Sequence, residues 1–341
     1  ENIISKIEKA FNDLNFSSEY YNDVQEIIKS LRIYNFSIDD CISYIEEQSK
    51  LFNLLDEFNE IKSKIRLYKI ERPFIANASN YGVPQNRERV LFIGCRKDQK
   101  LISEIPATVS EEEKVTVFEA LYDLDFIQND EHKQDYIDFD IRERYNGTSE
   151  KYLSLISKRT IDGKIDKKNG KTFAEWSKAG RLNGRFNKSD AFYVKNYSDL
   201  KNNLKYYGKL HNHQTSNQKD DVIKRLEIIL KNGSYENAKN EINACNLASN
   251  KRNYNLLKAD GISPTVMTIP DDYIHFNSPR ALTVREMARL QSFDDSFVFQ
   301  GKRSTGGNKR KEEVPQYTLV GNAVPPLLAR AVAMEILKNN K

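Results

Sequence analysis

The stretch that decides the fold is Gln85-Asn86-Arg87-Glu88-Arg89-Val90-Leu91-Phe92-Ile93-Gly94, in which a polar segment runs directly into an apolar one. The two-residue period of a strand places the side chains of Gln85, Arg87 and Arg89 on one face. Two guanidinium groups on one face can hold a phosphate or a planar ring that carries carbonyl groups. An exposed edge on which Glu88 balances the arginines is the alternative. The apolar run 90–94 predicts a strand buried on both faces, as in a parallel or mixed α/β sheet.

The chain around this stretch divides into four regions. Apolar residues at helical spacing predict a helical segment over 1–66, and short strands follow in 67–99. Residues 100–275 are irregular and rich in Asn, Lys, Asp and Tyr, with a helix predicted at 219–230. This region is too long for a simple loop, so it is a separate domain or a functional insertion. Regular structure returns in 276–341.

Two further motifs stand out in the last region. Thr283 followed by Glu286 predicts a capping box, and so a helix over 283–291 that carries Arg285 and Arg289 one turn apart. The stretch 316–326 ends in Gly321-Asn322-Ala323-Val324-Pro325-Pro326. Gly321 and Asn322 predict a tight or left-handed turn, and the prolines predict the start of a final helix over 326–337.

Composition excludes several classes of protein. The 341 residues include three cysteines at unrelated spacings and four histidines, which argue against a disulfide framework and a clustered zinc site, so no metal is expected. The first residues lack a signal-peptide pattern and no long uncharged apolar run appears, which predicts a cytoplasmic protein without a membrane span.

Charge is unevenly distributed along the chain. Residues 1–60 contain 13 acidic and 5 basic residues, whereas 151–210 contain 15 basic and 5 acidic ones. A polyanion that meets the second segment is one interpretation, and a solvated lysine-rich surface is the other.

Together, the three motifs resemble the C-terminal portion of a bacterial DNA cytosine-5 methyltransferase. The segment 85–89 resembles the eighth motif of that family, 280–291 the ninth and 321–326 the tenth, in the family's order. The resemblance implies an α/β fold: an incomplete Rossmann-like methyltransferase core, an inserted and mostly irregular α+β target-recognition domain, and a helical N-terminal segment. The regions 67–99 and 276–341 would belong to the catalytic domain, and 100–275 would be the recognition domain.

The resemblance also implies roles for individual residues. In this family a cysteine thiolate attacks C6 of a flipped cytosine, and C5 takes a methyl group from S-adenosyl-L-methionine. Arg89 would contact the cytosine or a flanking phosphate, while Arg87 and Gln85 would brace the active site. The cofactor pocket would be lined by Asn322, Ala323 and Val324. Arg280, Arg285 and Arg289 would organise the junction between the domains. Double-stranded DNA would be contacted by Thr265, Val266, Arg181, Arg185, Lys302 and Arg303.

The chain departs from the family in its nucleophile. The catalytic Pro-Cys pair is absent, because Asp40, Gly94 and Ala244 precede the three cysteines, and the glycine-rich cofactor motif is absent too. Glu1-Asn2-Ile3 is compatible with the family's Glu-Asn-Val motif, although its flanks fit poorly. The expected partner is therefore an N-terminal half that carries the Pro-Cys loop, either a separate subunit or a missing part of one chain. The complete enzyme would serve restriction–modification; the alternatives are a non-catalytic DNA-binding module and an RNA cytosine-5 methyltransferase.

Overall fold

The computed structural model combines helices with short strands. It describes residues 38–65, 68–70, 72–156, 172–182, 209–251, 254–269, 272–304 and 312–339, together with a few isolated positions before 38. The helices are α1 (Ile38–Leu51), α2 (Leu55–Ile65), α3 (Val117–Leu121), α4 (Ile141–Arg144), α5 (Ser149–Leu155), α6 (Phe173–Leu182), α7 (Asp220–Asn232), α8 (Tyr235–Ala244), α9 (Val284–Leu290), α10 (Gln316–Asn322) and α11 (Pro326–Asn339).

The strands pair two by two within the described residues, β1 with β4, β2 with β3, β5 with β6 and β7 with β8. The β2–β3 and β5–β6 pairs are antiparallel and the β7–β8 pair is parallel. Their bounds are β1 (Tyr68–Ile70), β2 (Phe74–Asn77), β3 (Glu88–Leu91), β4 (Gly94–Arg96), β5 (His132–Lys133), β6 (His213–Gln214), β7 (Asn255–Leu256) and β8 (Tyr273–Ile274).

The chain separates into two compact units. The first comprises Glu1–Lys69 with Cys95–Gln99, and the second comprises Ile70–Gly94 with Lys100–Lys341. The first unit contains α1 and α2, which follow one another in the sequence, and Nζ of Lys62 in α2 donates to a carboxylate oxygen of Glu46 in α1. The helices predicted for this region are thus present from Ile38 onward, and the predicted pattern over 3–14 lies mostly outside the described residues.

The main core of the second unit forms around α9. Val284, Met287 and Leu290 of that helix are fully buried, and they pack with Phe118 of α3 and Tyr317 of α10. Residues from 100–156 and from 276–341 therefore share one core. The domain boundaries at 67, 100 and 276 stay a prediction.

A smaller core lies on one face of the β2–β3 hairpin. Ala76 packs with Tyr81 and with Leu328 and Ala331 of α11. On the opposite face, Ile75 and Val90 lie directly across the hairpin from each other and are 66% and 55% exposed.

The prediction of one strand buried on both faces over 90–94 was therefore wrong. β3 ends at Leu91 and β4 begins at Gly94, and the apolar side chain of Phe92 between them is 72% exposed. The side chains of each strand point alternately to the two faces of the hairpin. α11 covers one of these faces, and no described residue covers the other.

Local sequence signals predicted the long helices well. The helix predicted at 219–230 is α7, which ends at Gly233 in the left-handed conformation with φ of 73°. Thr283 and Glu286 form the predicted capping box at α9, and α11 begins at Pro326 as expected. These three predictions are confirmed.

Within the part of the chain that the structure describes, residues 316–339 are long and apolar enough to cross a membrane by length and composition alone. The segment consists of two helices, α10 and α11, and Leu327 and Leu328 of the second pack into the two cores. α11 therefore contributes side chains to both cores.

Candidate active site and nucleic-acid interface

A sharp turn places the segment 85–89 beside the segment 263–266. Asn77 caps a short 3₁₀ turn over Ala78–Tyr81, which ends at Gly82 in the left-handed conformation. The chain then runs parallel to Ser263, whose carbonyl oxygen accepts from the backbone N–H of Asn86 at 2.8 Å. Two stretches that lie far apart in sequence thus become neighbours.

The side chain of Gln85 is fully buried and joins three segments. Its Oε1 accepts from the backbone N–H of Val266 at 2.7 Å, and its Nε2 donates to Oε1 of Gln291 at 3.0 Å. Gln291 in turn donates to the carbonyl oxygen of Val320 in α10 at 2.9 Å. Gln85 is therefore a positioning residue, because every polar atom of its amide is directed at the protein.

Arg87 clamps two of these segments together. Its Nη1 donates to the carbonyl oxygen of Val266 at 3.2 Å, and its Nη2 donates to that of Gly321 at 2.7 Å. The side chain is 3% exposed, so it is withheld from a phosphate. The expectation that Arg87 and Arg89 together hold a phosphate or a planar ring is corrected for Arg87, which is turned inward and bonded to main-chain oxygens.

Arg89 remains available to a ligand. It lies on β3, is partly exposed, and makes a single described hydrogen bond, from its Nη1 to the carbonyl oxygen of Glu88. Among the three residues predicted at this site, Arg89 is the one whose charge reaches the surface.

The predicted turn at Gly321 and Asn322 is helical instead. Both residues belong to α10, and Gly321 has no left-handed φ. Glycine is needed there because a Cβ would lie 2.6 Å from the carbonyl oxygen of Met267. Close packing between α10 and the segment 263–268, rather than turn geometry, explains the residue.

The three residues predicted to hold a cofactor follow at the end of α10. Asn322 and Val324 are exposed and Ala323 is half-buried. Val324 also lines a cavity of about 680 Å³ whose other walls include Trp176, Phe293 and Leu327. A largely apolar cavity of this size suits part of a small organic ligand. The assignment of Asn322, Ala323 and Val324 to a cofactor stays a prediction, and no glycine-rich loop accompanies them in the sequence.

The arginines of the 280–291 region form a buried ionic network. Arg289 is fully buried and forms two hydrogen bonds to Asp295, at 3.0 and 2.7 Å, and further bonds to Asp123. Burial alone would raise the pKa of Asp295, but Arg289 more than offsets this and holds the pKa below its usual range. Arg280 pairs with both carboxylate oxygens of Glu286 at 2.8 Å.

Arg285 completes this network through main-chain oxygens. It donates to the carbonyl oxygens of His211 at 2.9 Å, Asp294 at 3.2 Å and Phe297 at 2.6 Å. The three arginines thus tie the stretches 120–127 and 211–212 to 280–297. This agrees with the organising role that the resemblance implies for them.

The residues predicted to contact DNA fall into three groups. Thr265 lies at the surface, and its Oγ1 donates to the carbonyl oxygen of Asn86 at 2.9 Å. Lys302 and Arg303 also reach the surface, where Lys302 pairs with Glu313 at 2.7 Å. The side chain of Val266 is buried in the core, so a contact with DNA could come only from its neighbours.

The remaining part of the basic segment is largely undescribed. Arg181 lies in α6, and its side chain is outside the described part of the structure; Arg185 lies outside the described residues, as do 157–171 and 183–208. The glycine-containing basic stretch 301–311, where a loop is expected from the sequence, is described only to residue 304. The charge asymmetry therefore stays a prediction.

Sequence reasoning did not assign a role to Gln291. Its amide is the link between Gln85 and Val320, which lie more than 200 residues apart in sequence. A buried glutamine at the end of an amphipathic helix gives no sequence signal for such a partner. Among the described residues, no group of three or more His, Cys, Asp or Glu side chains could hold a metal ion.

The geometry of this site agrees with comparisons to known proteins. The model of the C-5 cytosine-specific DNA methylase family matches residues 45–338, and the chain therefore belongs to this family. The family carries an α/β methyltransferase fold, which confirms the fold class expected from the resemblance.

Individual relatives are type II methyltransferases. M.DdeI of Desulfomicrobium norvegicum is 30% identical over 289 residues, which cover 83% of this chain and 56% of M.DdeI. M1.HphI of Haemophilus parahaemolyticus is 34% identical over 129 residues, 38% of this chain and 32% of the relative. M.HgiCI of Herpetosiphon aurantiacus is 24% identical over 355 residues, 97% of this chain and 79% of the relative. The chain thus spans little more than half the length of M.DdeI.

A solved structure of a provisionally assigned DNA modification methyltransferase, encoded within an E. coli prophage, is 21% identical. It matches 87% of this chain and 67% of its own, with a TM-score of 0.47.

Proposed function

We propose that this chain supplies the target recognition and part of the catalytic core of a DNA cytosine-5 methyltransferase of a restriction–modification system. The reaction is methyl transfer from S-adenosyl-L-methionine to C5 of a cytosine flipped out of the duplex. C5 and C6 cannot be reached inside the base stack, so flipping is required. A cytoplasmic location belongs to the same proposal.

The observation that carries the proposal is the clamp formed by Arg87. One guanidinium holds the carbonyl oxygens of Val266 and Gly321, so the predicted recognition segment and the predicted cofactor segment are fixed to the same side chain. Arg89 follows two residues later with its charge at the surface. A base, a DNA strand and a methyl donor must converge for this reaction, and the clamp supports that convergence.

The proposed roles follow from exposure and chemistry. Arg89 touches the cytosine or the phosphate beside it, while Gln85 and Arg87 position the surrounding backbone. Asn322, Ala323 and Val324 hold S-adenosyl-L-methionine, which supplies the methyl group when it is bound. On the DNA side, Thr265 lies at the recognised bases, with Val266 fixing the backbone beneath it. Phosphates are contacted by Arg181, Arg185, Lys302 and Arg303.

The thiolate comes from outside this sequence. None of Cys41, Cys95 and Cys245 follows a proline, and Cys245 lies at the C-terminal end of α8. The partner is therefore an N-terminal methyltransferase half with the Pro-Cys loop, whether a separate subunit or another part of one longer chain.

The open face of the β2–β3 hairpin supports this partner. Ile75 and Val90 form an apolar surface on the open face of the hairpin, whose other face is apolar too, and the exposed Phe92 follows directly after β3. Strands of this kind are typical of sheets covered on both faces. The relative M.DdeI extends well beyond the part that this chain matches, and the corresponding half is the occupant that we propose for the open face.

Reconstitution tests the proposal. The chain is mixed with an N-terminal half that carries the Pro-Cys loop, and methyl transfer from labelled S-adenosyl-L-methionine to duplex DNA is measured. Transfer is expected only when both parts are present, and Phe92→Asp should reduce it by preventing assembly. Lys69→Asp, an exposed change on β1, is the matched control. Full transfer by this chain alone, or no transfer by the mixture, would contradict the proposal.

A further inference from the structure

An open cleft of about 480 Å³ lies between the start of α7 and β8, away from the residues of the proposed active site. Apolar side chains form one wall, among them Val222 and Leu226 of α7 and Ile274 of β8. Hydroxyl and amide groups, including those of Ser216 and Gln218, line the cleft as well. The cleft has the size of a site for one nucleotide unit rather than for a water or a metal ion.

The base of this cleft contains a buried cation. Arg225 is 9% exposed; its Nε donates to the carbonyl oxygen of Leu247 at 2.5 Å and its Nη1 to the hydroxyl oxygen of Tyr254 at 3.1 Å. Within the described part of the chain, no carboxylate pairs with Arg225, and no bond of its Nη2 is observed. A buried charge without a counter-ion is costly, so the position of Arg225 favours an anion in the cleft.

Two more cations line the cleft. Lys219 precedes the first turn of α7 and is exposed, and the amine of Lys251 lies 4.9 Å from the ring centre of Tyr254. The described residues that line the cleft include three basic side chains and no acidic one. The two aspartates of the first turn, Asp220 and Asp221, are exposed and do not line it. The cleft therefore carries net positive charge.

The walls of the cleft are bonded to two of the residues predicted to contact DNA. Ser216 accepts from Nη1 of Arg303 at 3.0 Å. The hydroxyl of Tyr273, another wall residue, donates to the carbonyl oxygen of Thr265 at 2.6 Å. A strand that touches Thr265 or Arg303 would thus pass close to the cleft.

We propose that this cleft binds a phosphodiester group of duplex DNA, with Arg225 at the base and Lys219 and Lys251 at the rim. The inference rests on the proposed function, since it assumes that the chain meets DNA. It adds a phosphate contact outside the residues that the family resemblance identifies. Phosphate contacts carry no sequence information, and they fix how a protein sits on the duplex.

The test uses the full 341-residue chain with both rim lysines changed, Lys219→Met and Lys251→Met. Binding to a mixed-sequence duplex is followed by fluorescence anisotropy over a range of salt concentrations. Loss of one phosphate contact should lower the slope of log affinity against log salt by about 0.9 and weaken binding roughly tenfold near 0.1 M salt. The matched control is Lys224→Met with Lys239→Met, two exposed lysines of α7 and α8 that do not line the cleft.

The outcomes separate the two proposals. If the unaltered chain does not bind duplex DNA, both the proposed function and this inference are wrong. If the rim variant and the control variant give the same slope of log affinity against log salt, only the inference about the cleft is wrong.

Calorimetric titration with inorganic phosphate distinguishes the source of the anion. Phosphate binding that disappears in the rim variant, without any change in the DNA slope, would show a small-molecule site and overturn the inference. Arg225→Met should reproduce the loss of slope, provided that its thermal unfolding stays cooperative.

Discussion

Because Gly321 lies in close contact with Met267, we expect Gly321→Ala to destabilise the protein, whereas helix propensity alone predicts that it stabilises the protein. Gly321→Ala adds one methyl group at a position in α10 where the new Cβ would lie 2.6 Å from the carbonyl oxygen of Met267 and 2.9 Å from its carbon. Neither atom belongs to a flexible side chain, so the backbone of one segment has to move. The same movement would stretch the clamp of Arg87 between Gly321 and Val266.

The magnitude follows from two opposing effects. Replacing a helical glycine by alanine ordinarily stabilises a helix by about 1 kcal/mol. Overpacking of a tight contact costs roughly 1–3 kcal/mol. Because the approach at Gly321 is to backbone, we expect the higher part of this range. The net result is a loss of about 1–2 kcal/mol in the free energy of unfolding.

Denaturant unfolding of the chain measures this directly. Ala329→Gly, the reverse change at an exposed position inside α11, serves as the control for helix propensity. The prediction includes a second readout, namely weaker binding of S-adenosyl-L-methionine to the reconstituted enzyme, since Asn322 follows Gly321. A Gly321→Ala protein that is more stable than the parent, as propensity alone predicts, would refute the proposed packing.

Three other predictions concern charge. Arg89→Ala should nearly abolish methyl transfer in the reconstituted enzyme and leave the unfolding transition unchanged. Full activity of this variant would contradict the role proposed for Arg89. Arg289→Met should lower the free energy of unfolding by about 3–5 kcal/mol, because it leaves Asp295 buried without its partner. A loss below about 1 kcal/mol in denaturant unfolding would contradict this. Burial lowers the pKa of His213 to about 3 and that of His275 to about 4. Both stay neutral in the folded protein, whereas the unfolded chain takes up protons below its ordinary pKa of 6.5. Stability should therefore fall as the pH drops from 6.5 towards 4, by roughly 1.4 kcal/mol per unit for each histidine. Equilibrium unfolding that is independent of pH over this range would contradict the burial of both rings.

Local signals in the sequence were sufficient for helices whose ends are set by their own residues. The capping box of Thr283 and Glu286 and the glycine stop at Gly233 act within one turn of the chain, so spacing alone predicts them. The order of the three motifs also predicted the family, which the match over 45–338 confirms.

Features that depend on distant contacts were beyond such reasoning. Gly321 was expected in a turn, yet it is helical and lies against Met267, which is 54 positions earlier in the sequence. Arg87 was expected on the same strand face as Arg89, where both could hold a ligand, but it donates to two carbonyl oxygens from remote segments instead. No short-range pattern encodes these partners, because they are brought together only when the segments 263–268 and 316–322 pack.

The central claim is that the methyl group goes to C5 of cytosine in duplex DNA. Nucleoside mass spectrometry of duplex DNA treated with the assembled enzyme and labelled S-adenosyl-L-methionine tests it most directly. Label is expected in 5-methylcytosine and should be lost when Arg89 is replaced by alanine. Label on another atom or another base, or transfer to RNA in preference to duplex DNA, would contradict it.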